Sequence, residues 1–85
     1  MKKKELKRIL YEPASSTIGD NVLIGLTVIQ KYFPEKRIVR GCSDSTLCSV
    51  REKELRKAGL TEEDARILRD SGWDVSSHGV LCHEV

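Results

Sequence analysis

The chain has 85 residues, with 15 Lys or Arg against 13 Asp or Glu and a formal net charge of +2. That length supports one domain, and a chain of this size buries only about 60–65% of its unfolded surface, so its core is thin and a second copy is one natural way to bury more. No apolar run approaches the roughly 20 residues of a membrane span, and three cysteines, an odd number, fit reduced thiols better than a disulfide framework.

Charge is distributed unevenly. Residues 1–8 carry Lys2, Lys3, Lys4, Lys7 and Arg8 against Glu5, a local charge of +4, so the remaining residues sum to −2. A basic N-terminus of this kind can contact nucleic acid or anionic lipid; the simpler reading is a solvated end. Leu6, Ile9 and Leu10 give residues 2–11 a short helical stripe that Pro13 stops, and the many lysines suggest a frayed or loosely docked helix. Residues 12–19 contain Pro, Ala, Ser, Thr and Gly and read as a linker. The sequence thus divides into a basic N-terminal helix and linker at 1–19 and a single α+β domain at 20–85. The basic start lacks the apolar core of a signal peptide, because Tyr11-Glu12-Pro13 interrupts it, and the expected compartment is the cytoplasm.

Asp20 or Asn21 can cap a helix over 22–33, closed by Pro34. Val22, Ile24, Leu26, Val28, Ile29, Tyr32 and Phe33 crowd most of its circumference, the pattern of a helix that is buried, or buried on two sides. Gly25 costs this helix about 1 kcal/mol relative to Ala, which close approach of another backbone would explain. Residues 36–40 and 45–50 read as two strands: Ile38 and Val39 are apolar and β-branched, and Thr46, Cys48 and Val50 share one face. Gly41-Cys42-Ser43-Asp44 has turn chemistry, so a hairpin is expected.

Residues 51–73 read as two short helices broken at Ala58-Gly59. Thr61 caps the second, Glu62, Glu63 and Asp64 complement its dipole, and Asp64 makes a short-armed capping box. Leu60 and Ala65 form a small hydrophobic staple, and Glu62 and Arg66 are spaced i, i+4. Gly72 ends the helix and Trp73 folds back as a core lid. Residues 74–77 read as a loop and 79–85 as a final strand. The expected fold is α+β, a small three-stranded, mostly antiparallel sheet packed on two to four helices.

Three pieces carry a resemblance: Gly25-Leu26-Thr27-Val28-Ile29-Gln30-Lys31-Tyr32-Phe33-Pro34, then Glu54 through Ala65, then Gly72-Trp73. Their order and spacing resemble a group of small uncharacterised proteins of bacterial genomes and prophages. In that group a helix with a Tyr-x-Pro end precedes a strand pair, a capped helix ending in Trp and an apolar final strand. The resemblance runs from about Asn21 onward and implies a fold without implying an activity. The chain departs from it at Ser43-Asp44 and Cys48, where relatives tend to place a His-Asp turn and an aromatic.

Cys42, Cys48, His78 and Cys82, with His83 nearby, supply atoms suited to zinc, but no Cys-x-x-Cys pair is present. The simpler reading is buried strand cysteines and surface histidines, with no metal and no cofactor. A Cys–His nucleophile lacks a third orienting residue and an oxyanion-hole motif, so no catalytic residue is expected and the chain reads as a non-enzyme. The two helices at 51–72 are not a DNA-reading helix-turn-helix, because three acids at the start of the second would repel phosphates. The preferred reading is a small protein-interaction domain that contacts a protein partner or itself. The alternatives are a nucleic-acid binder using Lys2, Lys3, Lys4, Lys7 and Arg8, or a zinc-stabilised domain.

Overall fold

The computed structural model describes residues 1–13, 21–42 and 45–84, without the Cys42 side chain. Most of the expected linker, and Ser43, Asp44 and Val85, lie outside the described residues. Four helices, α1 (Lys3–Tyr11), α2 (Val22–Tyr32), α3 (Glu52–Lys57) and α4 (Glu62–Asp70), pack with β1 (Gly41–Cys42), β2 (Thr46–Arg51), β3 (Asp74–Val75) and β4 (Val80–Glu84). The class is α+β. The antiparallel sheet runs in the order β1-β2-β4-β3. The second and final expected strands form its body as β2 and β4; Gly41-Cys42, expected as turn, instead make the short β1, and the two-residue β3 adds an edge where a loop was expected.

The helices cover one face. Leu81 and His83 of β4 point inward and are buried, whereas Val80, Cys82 and Glu84 alternate to the outer side. Residues 36–40 are not a regular strand. They lie beside β2, held by the Arg40 N–H donating to the Cys48 carbonyl at 3.0 Å and the Ser49 hydroxyl donating to the Ile38 carbonyl at 2.5 Å. A side chain thus takes the place of a ladder bond, while Glu54 draws Arg40 (2.7 Å) and Lys36 (3.6 Å) toward α3. Strand pairing starts only at Gly41, opposite Cys48.

Contrary to expectation, α1 is not loosely docked. Leu6, Ile9 and Leu10, spaced i, i+3 and i+4, lie on a single face, are all buried, and share one hydrophobic cluster with α2, α4 and the sheet. Arg69 of α4, itself buried, reaches Glu12 beyond the end of α1 at 2.9 Å. The lysines project from the opposite, exposed face.

α2 starts where the Asn21 side chain accepts the Ile24 N–H at 3.2 Å. It is not buried on two sides: Gly25, Val28 and Ile29 are covered, but Leu23 is 72% exposed. What approaches Gly25 is the indole of Trp73 rather than a backbone. A Cβ at Gly25 would lie 1.8 Å from Trp73 Nε1 and 2.2 Å from its Cδ1. Trp73 is 2% exposed and meets His83 edge-on at 5.6 Å. Its indole N–H has no hydrogen-bond partner among the described residues, which costs on the order of 1–3 kcal/mol.

The second helical pair forms as the sequence indicates. The Thr61 hydroxyl accepts the Asp64 N–H at 3.1 Å, and Glu62 meets Arg66 at 3.3 Å. Leu60 and Ala65 are both buried. Gly72 takes φ of 91°, and the Trp73 N–H returns to the Leu68 carbonyl at 2.9 Å, closing the helix and aiming the indole inward.

Candidate interaction surface

The same helix that carries Gly25 inward presents Leu23 and Leu26 outward. Spaced i, i+3, they form one wall of an open groove of about 500 Å³; Ile38 and Val39 form the other. Val39 is 40% exposed, so two large apolar side chains stand in solvent across one depression. The groove exists because residues 36–40 lie alongside β2 as an irregular segment: Ile38 turns into the core and Val39 turns out.

The polar groups of the groove are already engaged within the chain. The Thr27 hydroxyl donates to the Leu23 carbonyl at 2.8 Å, and the Gln30 side-chain amide donates to the Phe33 carbonyl at 2.5 Å. Lys31 pairs with Asp64 at 2.6 Å. Each of the three thus spends a polar atom on a bond within the chain, and the rest of the lining, Leu23, Leu26, Ile38 and Val39, is apolar. Among the described residues, Lys31 is the one charged residue of the lining, and its partner Asp64 brings a carboxylate to the same edge.

One end of the groove is pinned through Asp64. The Tyr32 hydroxyl donates to Asp64 Oδ2, and the Thr61 N–H donates to that hydroxyl at 3.3 Å. Burial pushes the Asp64 carboxyl up, but the Lys31 ammonium and the Tyr32 hydroxyl outweigh it and hold the group below the ordinary carboxylate value. Sequence reasoning places Asp64 in a capping box alone. Besides Thr61, its partners Lys31 and Tyr32 lie on α2, and no local spacing in the sequence encodes them.

The residues proposed for other chemistries are scattered or only partly joined. Cys48 and Cys82 face each other across β2 and β4. His78 stands in the exposed turn before β4, near Lys3, Arg51 and Lys53, whereas Cys82 borders a different cleft with Asp74 and Glu84. His83 is buried, and both ring nitrogens face backbone carbonyls, Nε2 that of Ser71 at 2.9 Å and Nδ1 that of Glu84 at 2.5 Å. Among the described residues no group of three or more His, Cys, Asp or Glu side chains converges as a metal site, and no helix is long and apolar enough to cross a membrane.

Lys2, Lys3, Lys4, Lys7 and Arg8 are all exposed along α1. Lys3 lies where two clefts adjoin, one bordered by Lys7 and Tyr11, the other by Arg51, Lys53 and His78. Tyr11 is 71% exposed at the helix end, not a core residue. Comparison with family models, with curated proteins and with solved structures returns no match.

Proposed function

We propose that this chain is a non-enzymatic, cytoplasmic protein-interaction domain of the bacterial or phage type it resembles, and that its first partner is a second copy of itself, seated groove to groove. One observation carries the reading: Leu23 and Val39 are exposed along a groove whose lining is mostly apolar and whose Thr27, Gln30 and Lys31 side chains each make a bond within the chain. Apolar side chains clustered in this way gain about 25 cal/mol for each Å² taken from water. A two-fold contact brings a patch against itself, and the Lys31–Asp64 pair at the groove's edge supplies both signs of charge there. Light scattering on chromatographed protein tests this. Mass should rise toward twice 9.6 kDa with concentration, and Leu23→Glu should hold the chain monomeric with an unchanged circular dichroism spectrum. A wild-type chain that stays monomeric throughout contradicts the reading.

A second reading, nucleic-acid binding, is favoured by the position of Lys3 between Lys7 and Tyr11 on one side and Arg51, Lys53 and His78 on the other. Cations with an exposed aromatic are what a single strand requires. Because α1 belongs to the core, the test is substitution rather than deletion. Lys3→Glu with Lys7→Glu should abolish a steeply salt-dependent affinity for a single-stranded oligonucleotide. Absence of binding by the wild-type chain at low salt removes this reading.

A further inference from the structure

Cys48 on β2 and Cys82 on β4 are direct partners in an antiparallel register. Residues so paired have Cα atoms about 4.5–5.5 Å apart and side chains on the same face. A disulfide spans Cα separations of about 4.4–6.8 Å, so the backbone already holds these two residues at bridging distance. Both are free and half-buried. They occupy the sheet face away from the helices, since the neighbours of Cys82 in β4, Leu81 and His83, are the buried ones. Cys48 lies opposite Gly41 on its other side, and a Cβ at Gly41 would meet no atom of the described residues within 4 Å, which among those residues leaves the β1 edge beside Cys48 open. Cys82 has Asp74 on its far side.

We propose that Cys48 and Cys82 form a paired dithiol site that a low-molecular-weight disulfide of the glutathione type oxidises to a cross-strand disulfide. Cys48 loses its proton to solvent, and its sulfur attacks one sulfur of the reagent, breaking the reagent's S–S bond. A mixed disulfide forms and one thiolate leaves. The Cys82 sulfur, deprotonated in turn, attacks Cys48 Sγ and displaces the second thiolate. One protein disulfide and two reduced small thiols result; two electrons pass to the reagent, and the protons released by the protein match those the products take up. The order of attack follows from the surroundings. Burial, then the charge of Asp74, Cys48 and Glu84, holds the Cys82 thiol above its ordinary value. The thiolate is the attacking species, so Cys48, the sulfur with open access, starts the exchange, and Cys82 completes it from a fixed position.

The test uses the full chain in buffers of graded oxidised-to-reduced glutathione ratio, quenched with acid and alkylated under denaturing conditions. Titratable thiols should fall from three to one, with a loss of two hydrogens in intact mass and no glutathione retained. Peptide mapping should join Cys48 to Cys82. Cys82→Ser should instead retain glutathione on Cys48, and Cys42→Ser should behave like wild type. A stable glutathione adduct on the wild-type chain, a bridge that includes Cys42, or three thiols surviving at every ratio while Trp73 fluorescence reports a folded chain would each overturn the proposal. The wild-type mapping stands even where a serine variant does not fold.

Discussion

The hydroxyl of Tyr32, in the last turn of α2, donates to the carboxylate of Asp64, in the first turn of α4, while accepting the N–H of Thr61. In a capping box the carboxylate of the third helical residue reaches back to the cap's own N–H. Here a tyrosine from another helix takes that place and passes the interaction on to the carboxylate. The cap of α4 and the docking of α2 are therefore one structure.

Removing the hydroxyl should weaken both at once. Tyr32→Phe leaves Asp64, 6% exposed, without one of its donors and leaves the Thr61 N–H without its acceptor. Hydrogen bonds to charged groups contribute about 1.5–3 kcal/mol. Urea unfolding followed by Trp73 fluorescence should show a loss of that order, with an unchanged slope. A loss below about 0.5 kcal/mol, the range of ordinary surface changes, would contradict the coupling.

The Asp64 environment also fixes a pH dependence. Its folded-state value lies below the unfolded one, near 3.9, so its contribution is full above that pH and disappears as pH falls through the folded value. Glu54 has the same sign, lowered chiefly by the Arg51 N–H and then, against burial, by Arg40 and Lys36. Stability should therefore decline between about pH 5 and pH 2, and Asp64→Asn should decline less steeply than wild type. Parallel curves for the two proteins would show that the carboxylate is not held as described.

Gly25→Ala separates packing from helix propensity. Propensity alone favours Ala by about 1 kcal/mol in a helix interior. The added Cβ would lie 1.8 Å from Trp73 Nε1, and that ring, 2% exposed, has no room to withdraw. Overpacking costs about 1–3 kcal/mol and occasionally more, so the variant should be net destabilised and its Trp73 emission shifted. A stabilised variant would mean that the indole yields freely.

Leu6→Ala tests whether α1 belongs to the core. Truncation of a fully buried leucine costs about 2–5 kcal/mol, and Leu6 is 1% exposed. Thermal unfolding should fall accordingly, in a single transition. An unchanged midpoint would return α1 to the status of an appended tail.

Local chemistry was the part of this fold legible in the sequence. Thr61, Gly72 and the i, i+4 pair Glu62–Arg66 set α4 through contacts within four residues, and Asn21 and Pro34 bounded α2 in the same way. What escaped depends on pairs far apart in the chain. Tyr32 finds Asp64 across 32 positions, Arg69 finds Glu12 across 57, and Gly25 is shaped by Trp73. The stripe of Leu6, Ile9 and Leu10 was visible, but the lysines around it suggested loose docking where the three join the shared core. The segment 36–40 has the composition of a strand, but Ser49 and Glu54, which divert it, act from β2 and α3. The groove is a product of that diversion: α2 looked apolar all round, and only the placement of Val39 shows which side stays open. The opposition of Cys48 and Cys82 likewise needed the β2–β4 register, which no spacing between them encodes.

Amide chemical shifts recorded over a dilution series of ¹⁵N-labelled chain test the proposed interface most directly. The account predicts concentration-dependent changes concentrated at Leu23, Leu26, Thr27, Gln30, Lys31, Ile38 and Val39, absent in Leu23→Glu. Spectra that do not change with concentration, or changes that gather on α1 instead, would contradict it.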